Sequence, residues 1–427
     1  MRMNKKKEIV PKLRFPEYIG DRLKITKLGK ISSVIKEKAG ENKYTLMSVT
    51  SGVGLIPQAE KFGREIAGDS YKNYIVIKKY DFAYNKSATK QFSEGYISML
   101  ETYDIAAVPN SIFTCFRIID DESYPLYFDY LFQNNYHGHW LKKYIEMGAR
   151  AHGALSVDTK HLWNMPLALP DFKEQQKIAD CLSSIDTLLG AESRKLEALK
   201  KYKKGMMQKL FPTEGKALPE CRFPEFQGCG VWQESTIAEV TSYVDYRGKT
   251  PVKSNEGIFL VTAKNIKMGY IDYNVSKEYV PKDQYIAVMS RGIPQLGDVL
   301  ITTEAPCGNV AQVDKVDVAL AQRVIKYRGD KKKINNTFLK YVFLSPVFQS
   351  ELKKNSTGGI VGGIKGSVLH QMSIKFPGDI TEQQKIADCL SKIDTIINGQ
   401  TNKVEQLKAH KKGLMQGLFP SLKEAEV

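Results

Sequence analysis

The chain lacks most of what would make it a membrane protein, a disulfide scaffold or an enzyme. No apolar run approaches the ~18 residues of a membrane span. The opening Met1-Arg2-Met3-Asn4-Lys5-Lys6-Lys7 leads into Glu8 and Pro11 with no apolar signal core. Cysteine is sparse: six residues in 427, with no C-x-x-C pair, argue against a zinc module and against a disulfide framework. There is no G-x-x-x-x-G-K-[ST] loop and no G-x-G-x-x-G turn. The Asn/Asp-Pro-Pro-aromatic tetrapeptide of amino-methyltransferases is also missing. Pro170-Asp171, Glu174 and Lys177 only superficially resemble a nuclease, because the Glu–Lys spacing is wrong. His137-Gly138-His139 has no third metal ligand nearby, and no Ser/His/Asp or Cys/His set can be assembled. The expectation is a cytoplasmic binding protein with no cofactor, no metal and no catalytic residues, whose chemistry is supplied by others.

What the chain has in excess is positive charge. Lys and Arg number 63 against 47 acidic residues, a formal net charge of +16. That favours a polyanionic partner, with a solvated basic surface as the plainer explanation. The pattern that organises the chain is a repeat. Residues 174–212, EQQKIADCLSSIDTLLGAESRKLEALKKYKKGMMQKLFP, recur at 382–420 as EQQKIADCLSKIDTIINGQTNKVEQLKAHKKGLMQGLFP. The same offset of 208 residues relates Arg14-Phe15-Pro16-Glu17 to Arg222-Phe223-Pro224-Glu225. The chain is therefore two tandem units, each a variable block followed by a near-constant helix.

The helices carry a heptad seam. In the first copy it runs through Ile178, Leu182, Ile185, Leu189, Leu196, Leu199, Met206 and Leu210. In the second it runs through Ile386, Leu390, Ile393, Ile397, Val404, Leu407, Leu414 and Leu418. Asp171 with Glu174, and Asp379 with Glu382, read as capping boxes. Lys-rich last turns suit the helix dipole, and Phe211-Pro212 and Phe419-Pro420 stop the helices. A helix of about 36 residues spans about 54 Å and cannot hide a full seam inside one small domain. The simplest partner for each seam is the other copy, antiparallel. Glu192 and Gln400 hold a seam position that is polar in both copies, and they are expected to face each other and fix the register.

The variable blocks hardly match each other. In the first, strands are expected at Tyr74–Ile77, Ser111–Phe116 and Leu162–Pro170, with a helical stretch near Pro125–Gly148. Tyrosines interleaved with lysines suit nucleic acid, although core packing is the blander explanation for most of them. In the second, strands are expected at Gly257–Thr262 and Gly297–Thr303 and a helix over 337–354. The glycine-rich run 356–367 allows a backbone to approach a phosphate closely. The organisation reads as a basic leader 1–13, a first block 14–170, a long helix 171–212, a linker 213–231, a second block 232–378, a second long helix 379–420 and a tail 421–427.

The repeated helix, the Arg-Phe-Pro-Glu opening of each unit, and Asp245–Pro251 followed by Val261-Thr262-Ala263-Lys264-Asn265-Ile266 together resemble the specificity subunits of type I restriction-modification systems. The resemblance covers nearly the whole chain. It implies an α+β fold: two α/β target-recognition domains separated by two long helices that form an antiparallel coiled coil, as a pseudo-two-fold tandem repeat. It further implies that each domain reads one half of a bipartite double-stranded DNA site. The helices would set the spacing and dock two modification (methyltransferase) subunits, with restriction (translocase/nuclease) subunits added through the complex. Methylation and cleavage would belong to those partners. Because the variable blocks differ, the site should be asymmetric. One departure stands out: Trp232 follows the second opening, where the first unit has Arg22-Leu23-Lys24.

Candidate DNA contacts in the second domain are Arg247, Lys249, Thr250, Thr357, Gly358 and Lys365. In the first they are Lys86, Arg150, His152 and Lys160. Each is expected to touch phosphate before base edges. The alternative is a non-DNA coiled-coil scaffold, or an RNA-binding protein, with two globular heads.

Overall fold

The computed structural model describes residues 10–89, 92–111, 113–145, 158–248, 251–357 and 362–420. Its dominant elements are two 39-residue helices, Phe172–Leu210 and Ile380–Leu418. The chain divides into two compact units. Unit 1 is Met1–Ser193 with Lys403–Val427, and unit 2 is Arg194–Asn402, so the division falls inside both helices. Among the described residues no helix is long and apolar enough to cross a membrane.

Within each unit the two helices run antiparallel. In unit 1, Asp186 pairs with Lys411 at 2.7 Å and Glu192 pairs with Lys403, so numbers rise on one helix as they fall on the other. In unit 2, Lys203 pairs with Asp394 at 2.5 Å. Asp186 and Asp394 are equivalent repeat positions, as are Lys203 and Lys411, so the repeat pairs crosswise. Each aspartate also accepts a tyrosine hydroxyl from the neighbouring domain helix: Tyr130 to Asp186 at 2.8 Å and Tyr341 to Asp394 at 2.7 Å. The seam is inside. Ile178, Leu182, Leu196, Ile386, Leu390, Ile393 and Val404 are buried, and Ile185, Leu189, Leu199, Ile397 and Leu407 are half-buried. At the last turns Met207 and Met415 are buried more deeply than Met206 and Leu414, because each helix there turns a second face to a domain core.

Unit 1 contains a four-stranded antiparallel sheet in the order Ser32–Val34, Phe113–Ile118, Phe82–Asn85, Tyr96–Met99. Helix Pro125–Gln133 covers it and supplies Tyr127, Phe128, Leu131 and Phe132 to a core that Ile178, Leu182, Met415, Leu418 and Phe419 complete. Unit 2 repeats the plan. Its sheet runs Thr241–Asp245, Val324–Gly329, Val299–Thr302, Val310–Gln312, under helix Asn336–Leu344. A three-stranded sheet, Tyr279–Val280, Ile258–Val261 and Val318–Leu320, forms a second core. In each unit a two-stranded ribbon joins the start and finish of the block: Lys24–Lys27 with Pro166–Leu169, and Gln233–Thr236 with Ser373–Phe376.

Local structure amends several sequence expectations. The finishing strand starts at Pro166, because Thr159–Trp163 is a short helix capped by the Asp158 side chain. The stretch from Pro125 breaks at Asn134-Asn135, with Asn135 left-handed, before a second helix Tyr136–Leu141. The stretch 337–354 breaks at Ser345-Pro346: proline cannot donate, and the Ser345 hydroxyl caps the new helix. Most first-block tyrosines are core, with Tyr84 and Tyr127 fully buried, although Tyr80 is exposed. The linker passage is anchored rather than loose: Cys221 N–H donates to Lys209 O, as Leu13 N–H donates to Gly417 O in the other unit. Trp232 packs against Phe211 and Phe338, which also meet each other as Phe419 meets Tyr127 in the first unit.

The capping boxes form only in half. Asp171 Oδ1 accepts from Glu174 N–H at 2.7 Å, and Asp379 Oδ1 from Thr381 N–H at 2.7 Å. The glutamates do not reach back. Arg14 donates to both Glu174 oxygens at 2.8 and 2.7 Å, and Arg222 to both Glu382 oxygens at 2.7 Å. Glu17 and Glu225 pair with Lys177 and Lys385, whose ammonium groups lie over the Phe15 and Phe223 rings. The two repeated motifs thus bind each other. Buried Gln175 and Gln383 add a second tie. Each accepts one backbone N–H, from Tyr124 or Asn335, and donates to two carbonyls.

Candidate nucleic-acid interface

In unit 2 three loops meet at one end of the four-stranded sheet. Strand Thr241–Asp245 runs out into Tyr246-Arg247, and strand Val299–Thr302 runs out into Thr303-Glu304. Residues 362–366 lie against both. Ile364 N–H donates to Thr303 O at 2.9 Å, and Gly363 forms bridges with Glu304 and Thr357. Thr357 and Gly363 exchange backbone hydrogen bonds of 2.9 and 3.0 Å. A Cβ at Gly366 would fall 2.8 Å from Asp245 Oδ2 and 2.9 Å from Arg247 Nη2, so a larger residue there would push these two side-chain ends aside.

Among the described residues, four cations surround these loops. Arg247 is held by Asp245, Nε to Oδ2 at 3.0 Å, and is 38 % exposed. Arg291 donates from Nη1 to the carbonyls of Asp245 and Arg247 at 2.9 and 2.7 Å. Arg323 lies 3.6 Å from Glu304 and is about half exposed. Lys365 is exposed at the start of helix Gly366–Gln371. Below them His370 stacks on Tyr243 with centroids 3.5 Å apart and meets Tyr327 Oη through Nδ1 at 2.7 Å; burial lowers its pKa. Fixed backbone and oriented guanidinium groups suit phosphate oxygens and the acceptor edges of bases.

The structure therefore brings Arg247, Thr357 and Lys365 together. Lys249, Thr250 and Gly358 lie outside the described residues, as do Arg150 and His152 of the first domain. Lys86 directly follows strand Phe82–Asn85, at the sheet end that corresponds to Thr303 in unit 2. Lys160 stands on a separate short helix and pairs with Asp158 at 2.9 Å. Sequence reasoning missed Arg291 and Arg323. Arg291-Gly292 repeats the Arg247-Gly248 pattern, which was the available signal; Arg323 has none, since only sheet order places it there. Asn265 of the Val261–Ile266 motif is buried and structural, accepting from Thr262 and donating to Asp272 O. His137 is fully buried between Tyr84 and Phe132, and burial pushes its pKa down to about 4. Among the described residues no group of three or more His, Cys, Asp or Glu is arranged to hold a metal.

The register pair is split between the units: Glu192 binds Lys403 in unit 1, and Gln400 is 7 % exposed in unit 2.

The chain is 27 % identical over 289 residues to the MjaVIII type I restriction enzyme specificity subunit of Methanocaldococcus jannaschii, covering 65 % of this chain and 67 % of that one. It is equally similar to the putative MjaX specificity subunit of the same organism, covering 63 % of that chain. The S subunit of a type I restriction-modification system from M. genitalium shares the fold, with TM-score 0.58 at 14 % identity over 97 % of this chain and 100 % of that one. A chain from a structural study of type I R-M complex assembly shares it with TM-score 0.54 at 16 % identity, over 93 % and 97 %. The model of the type I restriction modification DNA specificity domain matches twice, at residues 19–201 and 230–406, and on that match the chain belongs to this family.

Proposed function

We propose that this type I specificity subunit reads an asymmetric bipartite duplex site, each recognition domain taking one half. Two modification subunits dock on the helices and carry out methylation, and restriction subunits join through them. The observation that carries the reading is the double family match, one segment for each repeat, over loop ends that differ in sequence. Unit 2 offers Arg247, Arg291, Arg323 and Lys365 there, whereas unit 1 offers Lys36 after strand Ser32–Val34 and Lys86 after strand Phe82–Asn85. Different side chains at equivalent loops read different bases.

Docking of two partners is supported by the helices themselves. Leu188 and Ile396 are equivalent repeat positions, and they remain 43 % and 53 % exposed within otherwise polar outer faces. One exposed apolar residue needs no explanation, but the same one twice suits one partner used twice.

The test is long-read methylation mapping of DNA from cells expressing the chain with its modification subunit. The expected result is a motif of two different short halves around a fixed gap. Arg247→Ala with Arg291→Ala should relax one half and leave the other unchanged. A stable complex that methylates no motif would overturn the reading.

A further inference from the structure

Unit 1 contains a groove of about 1010 Å³. It lies between the end of helix Pro125–Gln133 and the last turns of the second long helix, and it closes on Phe419 and Pro420. Among the described residues its charged lining is Lys12, His139, Lys143, Lys408, Lys411 and Lys412, with no carboxylate among them. Lys411 is committed to Asp186 and Lys408 shares Glu405. Lys12 and Lys412 are exposed and have no carboxylate partner among the described residues. Phe92, Tyr96 and Tyr136 form its aromatic wall.

Unit 2 has a groove of about 680 Å³ that also reaches Phe211 and Pro212, the repeat equivalents of Phe419 and Pro420. It is lined instead by the ribbon Gln233–Thr236 with Ser373–Phe376 and by Glu214, Glu234 and Glu351 with a single lysine, Lys375. The helix lysines Lys408, Lys411 and Lys412 recur in unit 2 as Lys200, Lys203 and Lys204, whereas Lys12 has Glu220 at its repeat position and His139 and Lys143 belong to the variable block of unit 1.

We propose that the unit 1 groove is a second, sequence-independent DNA contact that seats the phosphate backbone beside the first half-site. This rests on the DNA-reading function proposed above. Phe92 belongs to the loop that starts at Lys86, so the groove is continuous with the first domain's candidate contacts. Backbone phosphate, spaced along a strand, matches several lysines on one wall.

The experiment uses the full chain assembled with its modification subunits and a fluorescent duplex that contains the methylated motif. Affinity is measured over a series of salt concentrations for the parent and for Lys12→Gln/Lys408→Gln/Lys412→Gln. Each phosphate contact contributes about 0.9 to the slope of log K against log salt, so the triple variant should lose about two to three from that slope. The methylated motif should not change, because phosphates carry no sequence. Glu214→Gln/Glu234→Gln/Glu351→Gln in unit 2 controls for surface changes and should leave the slope as it was. An unchanged slope in a folded triple variant overturns the groove contact while leaving DNA reading intact. An unchanged slope with loss of the modification subunits would make the groove a protein-docking site, which also overturns it. Failure of the parent to bind duplex at all would instead sink the function proposed above.

Discussion

Arg14 grips Glu174 with two hydrogen bonds across 160 residues of sequence, both side chains being at most 5 % exposed. Arg222 repeats the grip on Glu382. The pair locks the start of each unit onto the first turn of the long helix that ends its block. Its hydrogen bond to Glu174 raises the Arg14 pKa further, so the charge is permanent.

Removing one partner leaves the other charged and buried. Arg14→Ala should therefore destabilise unit 1 by about 3–5 kcal/mol, read as a lowered melting transition. Arg14→Met with Glu174→Met should recover most of that loss, since no buried charge remains. Equal loss in the single and double variants would show that packing, and not the ion pair, sets the cost.

Asp129 gives a pH signature. It is buried on helix Pro125–Gln133, accepts from Met99 N–H at 3.1 Å and Gln133 Nε2 at 2.6 Å, and burial pushes its pKa up to about 6. A carboxyl whose folded value lies above its unfolded one costs stability at high pH, and the cost fades as pH falls from 6 towards 4. A shift of this size corresponds to about 3 kcal/mol. Asp129→Asn should thus be more stable than the parent at pH 7, and the gap should close by pH 4. His137, pushed down to about 4, acts with opposite sign over the same range, so only the parent–variant difference isolates Asp129. A gap independent of pH would refute the assignment.

Leu188→Glu and Ile396→Glu test the docking of two modification subunits. Each variant should lose one modification subunit in native mass spectrometry, and the double variant should lose both. Loss of both from a single variant would mean that the two exposed residues serve one composite surface.

The polar seam position tests the register. Glu192→Leu with Gln400→Leu should let the helix pair slip and weaken assembly with the modification subunits while raising helical stability. Unchanged stability, register and assembly would remove the role given to these two residues.

Lys365→Ala should weaken binding to every duplex and lower the salt slope by about 1, with the methylated motif retained. Relaxation of one motif position would instead make Lys365 a base reader.

The sequence alone determined the repeat, the two long helices and their apolar seam, because heptad spacing and a fixed offset are local patterns that survive without contacts. It also carried the family resemblance, since the near-constant motifs are contiguous. Packing decided the rest. Glu174 looks like half of a capping box, and only the folded chain shows that Arg14 outcompetes the helix N-terminus for it, a buried guanidinium being the stronger partner. Arg323 is unremarkable in sequence and reaches the candidate interface only because sheet order places strand Val324–Gly329 between two others. The crosswise pairs Asp186–Lys411 and Lys203–Asp394 were equally hidden. Partners separated by about 200 residues leave no local periodicity, and tertiary structure alone selects which of many Lys and Asp residues meet.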